Sequence, residues 1–459
     1  MSVTEAESAA PAEAGLVPLS VQQEFLCMWD KGDEMGPFGP RYHIVDGWRV
    51  AGEIDVDTLR GALHDVVARH EALRTMVVRA DGVRHQRILP PTAPELVVRD
   101  LPGDAADPRE LRAEELLNEL AAGTLSVRDL PLLRAVLGRF DDRDAVLALV
   151  AHHTAADAWS MQLIMKDLAA FYAARRADSA PELPEASQYR EYAIRQRDGG
   201  TDPATAAARR YWRETLRDGQ ALALPTDRLR SAEPDFSTAW HRFSFGPELR
   251  VATAELASAM RSSPFMILLS AFELFAHGIT GATDLVVPTF TPGRDGVRFQ
   301  NAVGSFFNCL PLRTDLAGCA TFREVVARTR ASCIEAYRHE LPFAHILEEA
   351  PELMAPVVVD GLASCLFQVI QTPHMMAGER AGDLEISAIR RKVLSQSVGS
   401  DIPDGTLLCL EFESGGELIG ELGYSSNLYD DATARELVAR LRRVLHAAVT
   451  APDARLDLA

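Results

Sequence analysis

The sequence predicts an α/β fold of the mixed-sheet, α+β kind, and three observations carry that prediction. Strand-like and helix-like stretches alternate through both halves of the chain. Val146 to Ala151 is an unbroken apolar run, the pattern of a strand buried on both faces. Two long apolar helices begin at recognisable starts: Asp157 can cap one running to about Arg176, and Ser263 with Pro264 starts another ending near Gly278.

Length and composition set the outer bounds. At roughly 150 residues per domain, 459 residues make about three domains or two large ones. Hydrophobic residues at 47% and charged residues at 25% are ordinary globular values, enough for a substantial core. A net charge of −19 argues against a nucleic-acid surface, which needs clustered positive charge. Lys31, Lys166 and Lys392 are the only lysines, so nearly every positive charge is a guanidinium. The six cysteines show no CxxC spacing, so buried reduced thiols are expected, with no disulfide framework and no metal site. The first residues, MSVTEAESAAPAEAG, lack a positive region followed by an apolar one, so they do not read as a signal peptide. Phe265 to Ile279 is short and carries Glu273 and His277, which excludes a bilayer span. The expectation is a soluble, cytoplasmic protein with a disordered leader over 1–16.

Along the chain, Asp57 is read as the cap of a helix running to about His70, with Leu59, Leu63, Val66 and Val67 on its buried face. Residues 41–50, 75–79 and 85–89 read as strands, and 90–110 as a connection broken by prolines. Past a loop at 177–186, helical patterns cover 187–197, 204–216, 322–338 and 431–449. Strand-like runs fall at 284–289, 306–312, 365–371, 406–413 and 418–423.

One constellation carries chemistry. In Ala151-His152-His153-Thr154-Ala155-Ala156-Asp157-Ala158-Trp159-Ser160 a buried strand ends in two histidines, then a turn, then an aspartate at a helix start. Side chains alternate along a strand, so one histidine can enter a cleft while the other is anchored. An imidazole titrating near neutrality can accept a proton from an attacking nucleophile. Backbone N–H groups at the helix start, around Ala158, Trp159 and Ser160, are candidates for an oxyanion site. The competing reading is a pair of satisfied structural histidines, and two adjacent diverging rings make a poor metal chelate.

HHTAADAWS resembles the HHxxxDGxS motif of condensation domains in nonribosomal peptide synthetases, a family of two chloramphenicol-acetyltransferase-like halves. Six further segments resemble that family's motifs in order: Leu19–Gln23, Arg69–Thr75, Tyr189–Ala193, Tyr211-Trp212 with Leu224–Arg228, Val303–Arg313 and His339–Phe343. The resemblance runs from about Pro18 to about Val449. It implies a V-shaped pseudo-dimer, with one half over 17–180 and the other over 181–459. Residue by residue, it makes His153 the base or positioning group and His152 mainly structural. Asp157 corresponds to the motif aspartate that pairs with an arginine across the halves, here Arg294. Ser305 and Asn308 become tunnel-wall candidates, and Arg74 and Tyr192 scaffold residues. The sequence departs from the pattern at Ala158, where the motif has glycine, at the bulky Trp159, and at Gln371-Thr372-Pro373-His374, a poor match to the last motif.

What the resemblance implies for function is a free-standing condensation enzyme. It would transfer an acyl, here aminoacyl, group from the 4'-phosphopantetheine arm of a separate carrier protein to a small-molecule alcohol or amine, giving an ester or amide. The chain itself would bind no cofactor. The sequence is similar to members that acylate enediyne cores in antibiotic biosynthesis. Epimerisation of a carrier-bound aminoacyl group and non-catalytic carrier docking are the alternatives.

Overall fold

The structure, a computed structural model, describes residues 16–79, 83–101, 108–198, 203–230, 237–294, 296–370, 375–403, 405–413 and 415–458. The poorly matching segment 371–374 and nearly all of the expected leader lie outside them.

Two mixed sheets, each backed by helices, form the frame. The first has six strands in the order Ala377–Ala381, Leu384–Ile389, His43–Ala51, Asp144–His152, Leu133–Asp141, Glu95–Asp100. The apolar run expected to be a doubly buried strand is the centre of this sheet. Leu147, Leu149 and Ala151 join the core on one face, and Val146, Ala148 and Val150 join that on the other. Helices Val56–Arg69 and Ala158–Arg176 cover the first face, and Arg109–Ala122 covers the second. The other large sheet runs Asn308–Asp315, Asp284–Thr291, Leu362–Ile370, Thr406–Phe412, Leu418–Ser425, Thr238–Phe245, with Ala223–Pro225 beside Leu362–Ile370. Its core holds Phe272, Phe367, Phe322 and Leu445 from sheet and helices together.

Several local expectations are corrected. Asp55, not Asp57, caps the helix Val56–Arg69, its carboxylate accepting from the Thr58 N–H at 2.7 Å. The proline-rich stretch 90–110 contains the edge strand Glu95–Asp100 and the start of helix Arg109–Ala122; Pro90, Pro91 and Pro94 precede the strand and none interrupts it. The helix starting at Pro264 extends to Thr280, with the Ser263 hydroxyl accepting from the Met266 N–H at 3.2 Å. A division at residue 180 does not separate the two sheets. The hairpin 377–389 comes from the second half, yet Leu384–Ile389 pairs antiparallel with His43–Ala51 and extends the first sheet. Among the described residues no single helix is long and apolar enough to cross a membrane. The six cysteines are buried and form no disulfide.

The chain then returns to the second sheet under close restraint. Backbone N–H groups of Lys392, Val393 and Leu394 all donate to the buried Glu114 carboxylate, at 3.0 to 3.1 Å. Arg242, from the second sheet, donates to Asn118 at 2.9 Å and to the Leu394 carbonyl at 2.7 Å.

Candidate active site

The strand Asp144–His152 ends at the paired histidines, and their environments differ. His152 is fully buried: its Nε2–H donates to the Gly39 carbonyl at 3.1 Å, while Nδ1 accepts from the Thr154 hydroxyl at 2.9 Å. Both nitrogens are spent on scaffold, and burial lowers its pKa to about 3. His153 is half-buried, and its Nδ1 lies 2.9 Å from the Ala156 carbonyl. A carbonyl only accepts, so Nδ1 carries the proton and Nε2 keeps the lone pair of the neutral ring. Burial holds this imidazole below its ordinary pKa, against the pull of the Asp157 carboxylate. Tyr42 stacks on its face with centroids 4.8 Å apart, and Phe307 meets its edge at 5.7 Å.

Asp157 caps the helix Ala158–Arg176 and does not reach the histidine nitrogens. Its Oδ1 accepts from the Ser160 N–H at 2.7 Å and from Arg294 at 2.8 Å, and its Oδ2 from the Phe306 N–H at 3.2 Å. Arg294 also donates to the Ala302 carbonyl at 2.7 Å and lies over the Phe306 ring at 4.2 Å. Gly293, before it, has φ +60°, and a Cβ there would meet the Phe306 carbonyl at 1.8 Å, so only glycine fits. The Tyr192 hydroxyl donates to the Gly293 carbonyl at 3.1 Å and accepts from Gln22 at 2.7 Å. Arg74 donates to the carbonyls of Val67 and Leu89, a scaffold role.

Among the other candidates, Ser160 has nothing to give an oxyanion. Its N–H is held by Asp157, and its hydroxyl accepts from Arg294 at 2.9 Å while donating to the Gly304 carbonyl at 2.8 Å. Trp159 donates its indole N–H to the Gln300 carbonyl at 3.0 Å, which fixes the ring to the loop of the other half. Ala158 is exposed at the first turn, so the Cβ that replaces the motif glycine meets solvent. Ser305 is fully buried, its hydroxyl has no hydrogen-bond partner among the described residues, and its carbonyl accepts from Tyr189 at 2.8 Å. Asn308 is braced on both ends: its amide donates to the Leu341 carbonyl at 2.8 Å and its oxygen accepts from the Phe343 N–H at 2.9 Å.

Asn308 does line a small cleft between the halves, with Val21, Phe25, Phe307, Pro342 and Phe343; its volume of about 10 Å³ is room for about one water molecule. Phe307 is the partition: one part of its surface faces this cavity and its ring meets the edge of His153. The aromatic lining was missed at the sequence level, because Phe25, Phe307 and Phe343 are distant in the chain and each looks like ordinary core.

The family model of the condensation domain matches residues 17–458. The chain belongs to the condensation-domain family. Proteins similar to it include the dimodular nonribosomal peptide synthase of Bacillus subtilis, 33% identical over 98% of this chain. Chondramide synthase of Chondromyces crocatus is 32% identical over 96% of it. The chain spans only 19% and 11% of those relatives' lengths. Among solved condensation-fold structures, that of the SgcC5 protein from Streptomyces globisporus is 49% identical with a TM-score of 0.91, over 96% of this chain and 100% of that one. It was solved with (R)-(-)-1-(2-naphthyl)-1,2-ethanediol and sucrose bound. The X-domain from teicoplanin biosynthesis is 27% identical with a TM-score of 0.76, over 97% of this chain and 98% of that one; the same biosynthesis supplies a complex of the X-domain with OxyB.

Proposed function

We propose that this condensation-domain protein is an acyltransferase. Its donor is an acyl thioester on the phosphopantetheine arm of a separate carrier protein, and its acceptor is a small alcohol, which makes the product an ester. The observation that carries the reading is the His153 tautomer: with Nδ1–H tied to the Ala156 carbonyl, Nε2 is the basic nitrogen. A depressed pKa keeps that nitrogen unprotonated at neutral pH. The acceptor hydroxyl gives its proton to Nε2 as its oxygen bonds to the thioester carbonyl carbon. The carbon–sulfur bond then breaks, and the leaving thiolate takes the proton back from Nε2–H. Positioning of thioester and hydroxyl supplies much of the acceleration, and the base adds roughly 10²–10⁴-fold.

An acceptor with an aromatic head agrees with the flat apolar rings of Phe25, Phe307 and Phe343 at the cleft, which favour a ring once the cleft, at about 10 Å³, widens to admit it. The naphthyl diol bound to the Streptomyces protein supports the same class, and the resemblance to enediyne-acylating members agrees with it.

Intact-protein mass spectrometry tests this with aminoacyl-loaded carrier protein and an aryl 1,2-diol. The expected result is loss of the acyl mass from the carrier with appearance of the ester, falling about 100-fold or more in His153→Ala. Parental turnover in that variant rejects the role given to His153. The X-domain likeness favours a second reading, a docking protein without chemistry. Carrier binding with no product from any acceptor supports it, and inversion of the loaded donor without acceptor supports epimerisation.

A further inference from the structure

The Nδ1 tether alone does not fix the His153 ring. One hydrogen bond restrains a point on the imidazole and leaves the plane free to tilt about it. The tilt is removed by Tyr42, whose ring lies nearly parallel at an interplanar angle of 17° and 4.8 Å between centroids. The same residue holds the backbone, its carbonyl accepting the His153 N–H at 2.9 Å. Phe307 closes the edge, so the ring is restrained on a face, an edge and a nitrogen.

Tyr42 is itself gripped from the other half. The neighbouring Arg41 carbonyl accepts the Asp401 N–H at 2.9 Å, and the Arg41 guanidinium lies 3.5 Å from the Asp401 carboxylate. Asp401 ends a segment laid along the second sheet: Gln396 and Trp240 exchange both backbone hydrogen bonds, at 2.8 and 2.9 Å, and the Trp240 indole donates to the Ser400 carbonyl at 3.0 Å. A rigid path therefore runs from the second sheet through Asp401 and Arg41 to the ring stacked on His153.

The geometry points to Tyr42 as a positioning residue: its aromatic face sets the plane of the His153 imidazole so that Nε2 meets the acceptor hydroxyl, and the Arg41–Asp401 contact ties that plane to the second half. This rests on the reading of His153 as the base. The titratable groups around that ring are Tyr42 itself, whose phenol burial keeps neutral, Asp157 at the helix start, the preceding His152, and His43 on the adjoining strand; Tyr42→Phe controls for the phenol, and the others are unchanged by a substitution at Tyr42.

The test compares Tyr42→Phe, which keeps the stack, with Tyr42→Leu, which removes it. Tyr42→Phe is expected to stay within about 3-fold of the parent. Tyr42→Leu is expected to lower kcat by roughly 10–100-fold with little change in acceptor KM. Loss of the ring also admits water to His153, so the acidic limb of kcat/KM moves to higher pH, toward about 6.5. A merely structural role does not move that limb. If Tyr42→Leu yields no folded protein, Tyr42→Met removes the stack at similar volume and gives the same reading. Parental rates without the stack, equal losses in the Phe and Leu variants, or a loss with an unmoved limb each overturn the proposal. His153→Gln is measured alongside. If it keeps parental activity, the base assignment fails; if it is inactive while Tyr42→Leu is at parental rate, only the role of Tyr42 fails.

Discussion

Arg294 donates to the Asp157 carboxylate at 2.8 Å, and the two side chains are 2% and 8% exposed. The contact joins the helix start beyond the paired histidines to the loop that follows strand Asp284–Thr291, so it clasps the halves together. Burial lowers the Arg294 pKa despite Asp157, which marks a guanidinium taken well out of water.

Removing one partner of this pair leaves a charge buried without its counterpart. Asp157→Ala is expected to destabilise by about 3–5 kcal/mol, with activity and stability lost together. Urea unfolding checks this. A variant with parental stability and no turnover would instead give Asp157 a part in the chemistry.

Acid stability follows from His152. Its folded pKa, about 3, lies below the unfolded value, so the unfolded chain binds more protons at acid pH. Stability is full above about pH 6.5 and falls as pH drops toward 3, by about 2 kcal/mol at pH 5 from this residue alone. His152→Asn flattens that slope. Denaturant midpoints at pH 5 and 7.5 measure it, and an unchanged slope in the variant rejects the cause.

Glu273 gives a slope of the opposite sign. This carboxyl is fully buried in helix Pro264–Thr280, where the Thr329 hydroxyl donates to it at 2.5 Å, and burial raises its pKa to about 7. The folded state therefore holds a proton that the unfolded state releases, and stability declines as pH rises from about 4.5 to 7 and levels off above. Glu273→Gln is expected to be more stable than the parent at pH 8 and to lack this decline. A variant less stable than the parent at pH 8 sinks the prediction.

Gly304 has no room to grow. A Cβ there would lie 2.1 Å from the Tyr189 ring, which is packed against Phe306 and hydrogen-bonded to Ser20 at 2.7 Å. Gly304→Ala is expected to lower stability by about 1–3 kcal/mol through displacement of Tyr189. A thermal melt checks it, and Tyr189→Phe is expected to leave the clash intact.

Much of the site was legible because its signals are local. Asp157 stands at a helix start in the sequence and caps that helix in the structure, and the apolar run before His152 is the central strand. The resemblance also named Arg294, which no spacing rule connects to Asp157. What sequence could not carry is who takes the hydrogen bonds. Ser160 looks available at a helix start, yet Asp157, Arg294 and Gly304 occupy it fully. Tyr42 sits at a strand start with nothing to mark its stacking on a residue more than a hundred positions away. The hairpin 377–389 was missed because its residues are polar and exposed on one strand and its partner belongs to the other half.

That hairpin bears on how the protein comes into being. Strand His43–Ala51 reaches its final neighbour only when residues near 385 have left the ribosome, so the first half emerges with a raw edge. A fragment ending near residue 180 is expected to self-associate through that edge, and adding the remainder in trans is expected to quench it. The molecule is thus sewn shut late, by a stitch drawn from its own far end.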